Sequence, residues 1–336
     1  MEESFDTRAG ESGVRTKIGN EGKVTRKLAR ARGRSGCGGV GVQSTRTAIQ
    51  LPSESGRRDC ALARRLARLA VRSLYAELVL YPKPGLVSLR DNGAHSDMNA
   101  ESFLRSLFSL RSYFFDIAVA GMRSANIGEL RRLGLAAEAR MLRATRGVNT
   151  HRGAIFTLGL MTASTGLAWS QGRAPTDATL RDLIATYWRR ELLAVPAPAT
   201  AVPTHGQQMA ARYGATGARG EAIRGFPAVF EVALPALRYA MTRGADAKCA
   251  HLHAFFALLA HVDDTNVLYR GGREAALRLK RGAAEFMAAG SVFAAGWDER
   301  AENLHRRTSI QGLSPGGCAD LLAAAVFVDQ WQTTEP

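Results

Sequence analysis

The stretch ALARRLARLAVRSLYAELVL, residues 61–80, decides the class of fold. Leu62, Leu66, Leu69 and Val79 recur at helical spacing with arginines set between them, and Pro82 closes the segment. Further on, Phe103, Leu107, Leu110 and Phe114 form a second stripe at i, i+4, i+7 and i+11. Helical patterns follow at about 129–145, 151–170, 177–193, 205–213, 227–243, 248–262, 272–289, 298–307 and 317–331. Pro227 suits a first helical position, and Pro235 is expected to kink or split the helix it sits in. Ala and Leu recur while β-branched runs are scarce. The expectation is an all-α protein, a single multi-helix bundle.

A chain of 336 residues, 46% hydrophobic and 22% charged, is long enough to bury a substantial core. The net charge of +15 invites a polyanion reading, but it is not one patch. Residues 1–60 carry 12 Lys/Arg against 7 Asp/Glu, and the remaining excess is spread along the helices. No aromatic residues interleave on a basic face, so no nucleic-acid partner is expected. Cys37, Cys60, Cys249 and Cys318 show neither CxxC pairing nor zinc spacing, which reads as reduced thiols. The longest apolar runs, AFFALLA (254–260) and AAAVFV (323–328), fall far short of the roughly 18 residues of a membrane span. With no signal-peptide core at the N-terminus, the expected location is the cytoplasm.

Residues 1–56 change character. ARGRSGCGGVGVQS (31–44) is rich in Gly, Ser and Arg and has no apolar period, so 1–56 reads as a disordered or overlong extension. Residues 57–336 are the expected all-α catalytic domain. Within it AVPAPATAVPTHG (194–206) reads as a Pro-rich excursion between two halves.

Five helix junctions hold polar residues that helical packing does not require. They are PKPGLVSLRDNGAHSDM (82–98), RGVNTHRGA (146–154), GARGEAIRGFP (217–227), HVDDTNVLYRGG (261–272) and LSPGGCADLL (313–322). Glycine allows close backbone approach, and helix N-termini offer free N–H groups to anions. Five such junctions in one chain point to a shared polar cleft.

Each junction has a plain reading and a chemical one. Asp97 or Asn99 can simply cap a helix beginning near Ala100; alternatively Asp97 holds a divalent cation or a sugar hydroxyl while His95 meets a phosphate. Lys83, between two prolines, is a candidate point charge for a polyphosphate. Asn149, His151 and Arg152 stand at a helix start, which favours anions. Of Asp263 and Asp264, only one is expected to face the cleft; with Thr265 and Asn266 nearby it would suit Mg²⁺, with Arg270 on phosphate oxygens, or else it caps a helix. Arg219 and Arg224 bracket Glu221, either neutralising it or binding phosphate while Glu221 acts as a base. Gly316 and Gly317 open the entry to the last helix, and Asp320 lies in its first turn. The chain has no P-loop, no GxGxxG after a strand and no GxSxG elbow. His251 and His253 differ by two and so point to different faces of a helix.

These motifs, in this order from about Ala61 to Phe327, resemble those of the triphosphoribosyl-dephospho-CoA synthases, and the wording of the PKPG loop is closest to the malonate decarboxylase branch. Residues 1–56 have no counterpart. Tyr81 before the PKPG loop and Cys318 in a small-residue slot are the departures. The resemblance implies an all-α fold and transfer of the triphosphoribosyl group of ATP to the 2′-hydroxyl of 3′-dephospho-CoA, with adenine expelled. It further implies a product handed on to modify an acyl carrier subunit. On this reading Mg²⁺ sits on Asp97 and Asp264, with Asp320 a further metal candidate, and Lys83, Arg152 and Arg270 hold the triphosphate. Asn149, His151, Arg219, Arg224, Asn266, Gly316 and Gly317 bind substrate. Glu221 is the expected base, and His95 or His151 protonates adenine. The rival reading from the same acids is a Mg-dependent all-α hydrolase of ADP-ribose or nucleotides.

Overall fold

The structure, a computed structural model, describes residues 54–194 and 205–333. The expectations for the N-terminal extension up to residue 53 and for the Pro-rich stretch 195–204 lie outside the described residues. Among those described there is no strand, and the fold is all-α.

The chain runs through α1 (Glu54–Val79), α2 (Ala100–Ser109), α3 (Arg111–Met122), α4 (Ile127–Ala144), α5 (Arg152–Ser170), α6 (Asp177–Thr186) and α7 (Arg189–Ala194). It resumes with α8 (His205–Tyr213), α9 (Gly217–Ile223), a π-helical turn (Ala228–Ala233), α10 (Leu234–Thr242), α11 (Ala247–His261) and α12 (Thr265–Ala288). A 3₁₀ turn (Ser291–Phe293), α13 (Trp297–Ile310) and α14 (Gly316–Thr333) complete it. No helix among these residues is long and apolar enough to cross a membrane.

Helix α5 is apolar around its whole circumference, with an unbroken buried run from Thr157 to Ala168. Such a helix must be central. It packs against α1, α3 and α14, while α10, α11 and α12 form a second layer on α14. The seam between α3 and α5 depends on glycine. A Cβ on Gly121 would stand 2.1 Å from the Ala163 carbonyl oxygen, and one on Gly166 would stand 2.4 Å from that of Ala118. Both obstacles are backbone, so neither can swing aside. Gly121→Ala is expected to force the helices apart and destabilise the protein by about 1–3 kcal/mol or more, read as a lowered urea midpoint at unchanged m.

Several boundaries differ from the sequence reading. The stripe from Phe103 to Phe114 spans two helices, because the chain changes direction at Leu110, the C-cap of α2 and N-cap of α3. Asn99 caps α2 in a reciprocal capping box with Ser102, leaving Asp97 outside it. Helix α12 starts seven residues earlier than expected: Gly272, at φ 69°, breaks its helical geometry, and the apolar period is legible only beyond that kink. The 177–193 pattern divides into α6 and α7. Pro235 splits the expected 227–243 helix: a π turn ends at Ala233 and α10 begins at Leu234, so the proline falls in a first turn, where a missing N–H costs little. Helix α9 carries no apolar period and was not foreseen. Val79, expected on the inner stripe of α1, is exposed, and Leu74 and Leu78 take that place.

Candidate functional site

Four of the five polar junctions meet at one end of the core, where the C-terminus of α1 lies beside the N-termini of α5, α12 and α14. The PKPG loop enters this end through Lys83, whose side chain is fully buried. Its Nζ donates to the Glu77 carbonyl at 2.6 Å and pairs with the Glu77 carboxylate. Burial pushes the Lys83 pKa down, against the pull of Glu77. The loop is held from outside by His305, whose ring reaches the Lys83 carbonyl oxygen at 2.5 Å and the Asp91 carboxylate at 3.1 Å. Neither Glu77 nor His305 was singled out from sequence: each stands within an ordinary amphipathic helix, with no glycine or proline to mark it.

The glycines at the helix starts make room for the protein's own acids. A Cβ on Gly153 would meet Asp320 Oδ2 at 1.9 Å, and one on Gly317 would meet Asp264 Oδ2 at 2.9 Å. Asp320 accepts from the Ala154 N–H at the start of α5. Asp264 Oδ1 accepts from the N–H groups of Asn266 (2.8 Å) and Val267 (3.3 Å), capping α12, while Oδ2 accepts from the Cys318 N–H at 2.9 Å in the first turn of α14. Gly316 faces the Asn266 side-chain amide in the same way. These N-termini, expected to hold phosphate, are therefore already occupied by carboxylates that satisfy their free donors. Burial raises the Asp264 pKa; burial, then Glu77 and Asp264, raise that of Asp320 well above the carboxylate range. Asp263 points away, exposed and paired with Lys280 at 2.8 Å, so one of the two aspartates faces inward as expected.

His151, the N-cap residue of α5, is buried, with Nδ1 2.6 Å from Ser106 Oγ and its ring edge-on to Phe103. Nε2 is buried and has no hydrogen-bond partner. Burial, aided by the Lys83 charge, pushes its pKa down to about 3, so the ring is neutral at pH 7. It can offer a hydrogen bond but not the cationic charge expected of a phosphate ligand or an acid for adenine. Asn149 caps α5 through Oδ1, which accepts from the Arg152 N–H at 3.1 Å. The Arg152 side chain is about half exposed beside Glu138.

His95, Asp97 and Arg270 form a second, more exposed group that meets the first through residues 312–318. His95 Nε2 lies 2.8 Å from Ser314 Oγ. Arg270 donates to the Gly312 carbonyl at 3.1 Å and faces His95 Nδ1 at 3.3 Å. A donor at Nδ1 requires a lone pair there, which puts the ring proton on Nε2. Burial and Arg270 hold the His95 pKa low, so little of the ring carries a proton to give to a leaving group at neutral pH. Asp97 lies 3.5 Å from Nδ1 and is 60% exposed.

At the Glu221 junction, whose Gly217 lies against Thr265 at the start of α12, the polar groups are closed locally. Glu221 Oε1 accepts from Arg224 at 2.8 Å and Oε2 from the Ala228 N–H at 3.0 Å, fastening α9 to the π turn. Burial raises its pKa, as a base would need, but both oxygens are engaged. Arg224 also reaches Thr216, and Arg219 donates to the carbonyls of Leu192 and Leu193 at the end of α7. In place of the expected phosphate contacts, these arginines close local structure, because helix ends leave carbonyls unsatisfied.

The three expected metal ligands do not converge. Asp97 belongs to the exposed group, Asp264 is used by three N–H groups, and Asp320 is set against α5. Among the described residues no three His, Cys, Asp or Glu side chains are placed to hold a metal ion. A groove of about 1060 Å³ lies at the opposite end of α1, α5 and α14, lined by Arg58, Arg65, Trp169 and Trp331 among others, and none of the expected site residues reaches it.

Comparison with known proteins agrees with the motif order. The family model CitG, ATP:dephospho-CoA triphosphoribosyl transferase, matches residues 63–335. A protein of Acinetobacter calcoaceticus is 37% identical over 266 residues, covering 79% of this chain and 90% of its own. One from Pseudomonas paraeruginosa is 41% identical over 270 residues with the same coverage, and one from Pectobacterium carotovorum is 38% identical over 276 residues. All three carry the name "Probable 2-(5''-triphosphoribosyl)-3'-dephosphocoenzyme-A synthase". No solved structure matches the chain at a significant level. With a family model spanning most of its length and relatives near 40% identity, this chain is a member of the ATP:dephospho-CoA triphosphoribosyl transferase family.

Proposed function

We propose that the protein transfers the 5-triphosphoribosyl group of ATP to the 2′-hydroxyl of 3′-dephospho-CoA, releasing adenine, and that the product is the precursor of the prosthetic group of the malonate decarboxylase carrier subunit. The observation that carries this reading is the convergence of motif residues from α1, the PKPG loop and the starts of α5, α12 and α14 on one polar cluster, in a chain whose family is named for ATP and dephospho-CoA.

The chain's own groups suit a reaction that keeps the triphosphate intact. Exposed Arg152 and the Arg270–His95–Asp97 group lie at the rim, where a flexible polyanion can be held without being cut. The buried cluster excludes water from the breaking bond, which disfavours hydrolysis. Magnesium enters this reading as the counter-ion of the triphosphate. The donor set makes no ready cage, but Mg²⁺ commonly takes one or two carboxylates with substrate phosphates. Asp97, exposed at the rim, is the expected ligand with room for that contact; the ion would offset phosphate charge.

The test is direct. Purified full-length protein with ATP, Mg²⁺ and 3′-dephospho-CoA is expected to release adenine only when the acceptor is present and to yield the triphosphoribosyl adduct by mass spectrometry. Adenine, ribose or phosphate appearing without the acceptor would instead establish the nucleotide hydrolase.

A further inference from the structure

The groove at the far end of α1, α5 and α14 takes no part in the chemistry above. Its volume of about 1060 Å³ is that of a small-molecule site. Its α1 residues, Arg58 to Arg68, precede Glu77 by about 14–28 Å along the helix at 1.5 Å per residue, so it lies outside the buried cluster. Two indoles and three guanidinium groups give it its character. Trp169 is anchored by its edge, where Nε1–H donates to Asp59 at 3.2 Å, and is still 45% exposed. The Arg65 guanidinium lies 4.5 Å from the centre of the Trp331 ring, so a flat group already stacks on that indole. The acids nearby are engaged: Asp59 by Trp169, and Asp177 by Arg238 and by Gln332 at 2.9 Å. Glu54 holds Arg58 only in an exposed i,i+4 pair, which water screens and an anion can displace. Arg68 is exposed and has no hydrogen-bond or ion-pair partner among the described residues. The groove thus sets positive charge without a buried counter-charge beside open aromatic surface.

We propose that this groove is a nucleotide-binding site separate from the motif cluster: the base lies against Trp169 and Trp331, and the 5′-phosphates meet Arg68 and Arg58. Both halves of the ligand are needed to use what the groove offers. An indole stacks on any base through its π-face, without a hydrogen-bond code. The planar guanidinium fork matches phosphate oxygens and makes charge-assisted hydrogen bonds to them. An uncharged aromatic ligand leaves the arginines unused, and a free polyphosphate leaves the indoles in water. ATP and 3′-dephospho-CoA share the adenosine 5′-phosphate group, so either can supply the ligand. Binding here requires no reaction and does not depend on the triphosphoribosyl-transfer reading.

The probe is ADP, followed by tryptophan fluorescence of the full-length protein. Trp169 and Trp331 line the groove, whereas Trp188 is fully buried. ADP is expected to quench the emission saturably, with adenosine, and pyrophosphate read by displacement of ADP, each binding at least about 10-fold more weakly. Arg68→Ala keeps both indoles as reporters and is expected to weaken ADP by about 10-fold, since it removes a charge-assisted contact. Trp169→Ala, read by calorimetry, is expected to cost a similar factor through lost stacking. Both side chains are exposed, so neither variant threatens the fold. Acceptor-dependent adenine release should stay at the wild-type level in both. Titrations with ATP and with 3′-dephospho-CoA then identify the source of the ligand as the one whose affinity falls in Arg68→Ala. No saturable quenching in the millimolar range, equal affinities for ADP and adenosine, or ADP binding unchanged in both variants would overturn the proposal. A loss of turnover in Arg68→Ala would place the groove in the reaction and overturn its separateness. A failure of the transfer reading leaves the binding result standing, because quenching is measured without turnover.

Discussion

Acidification from pH 7 towards pH 4 is expected to destabilise the protein through His151 and to do so far less in a His151→Gln variant. The imidazole is buried beside Lys83, and its pKa falls from 6.5 to about 3 on folding. A depressed folded-state pKa contributes stability that is present above the unfolded value of 6.5 and is lost as pH falls towards 3. The full shift corresponds to about 5 kcal/mol at most. In a domain of this size that is a fall in Tm on the order of 10 °C across the window. Asp264, Asp320 and Glu221 act in the opposite sense. Their folded pKa values are raised, so their contribution is present below the unfolded carboxylate value and is lost as pH rises. The diagnostic quantity is therefore the difference between wild type and variant. Thermal unfolding curves that stay parallel from pH 7 to pH 4 would show that His151 is not buried neutral.

Lys83→Met is expected to cost about 3–5 kcal/mol, because it leaves the Glu77 carboxylate buried without its counter-ion. Methionine approximates the aliphatic stem, so packing against α1 changes little. Adding Glu77→Gln should recover much of the loss, since a neutral amide in the same place requires hydrogen bonds but no opposite charge. A double-mutant cycle by urea unfolding measures this. Additive effects, or a single-variant loss below about 1 kcal/mol, would mean that the pair is solvated rather than buried.

The same ion pair shows how far the sequence could be read. Lys83 was legible as a fixed charge because prolines flank it. Its partner was not, because Glu77 lies near the end of α1 with the spacing of any solvent-facing glutamate. Likewise Asp264 stood out in a DDTN run, but nothing local indicates that its second oxygen reaches the Cys318 N–H 54 residues away. The glycines of RGA and PGG were rightly read as places of close approach. What approaches them is Asp320 and Asp264, not a phosphate. Arg219 and Arg224 carry the sign of a phosphate ligand, yet helix-end carbonyls, Thr216 and Glu221 claim them.

By itself the sequence determined the all-α class, the main helices and the polar junctions, four of which meet at one end of the core. Apolar spacing and breaker residues act within a few positions of one another, and such local information survives without a fold. Only the tertiary structure decided which charges oppose which: that Lys83 faces Glu77, that Asp320 and Asp264 fill neighbouring helix starts, and that Glu221 is closed by Arg224 and the Ala228 N–H. Those pairings join residues many turns apart in sequence. Burial, which sets whether a carboxyl group or an imidazole holds its proton, exists only once the helices have packed.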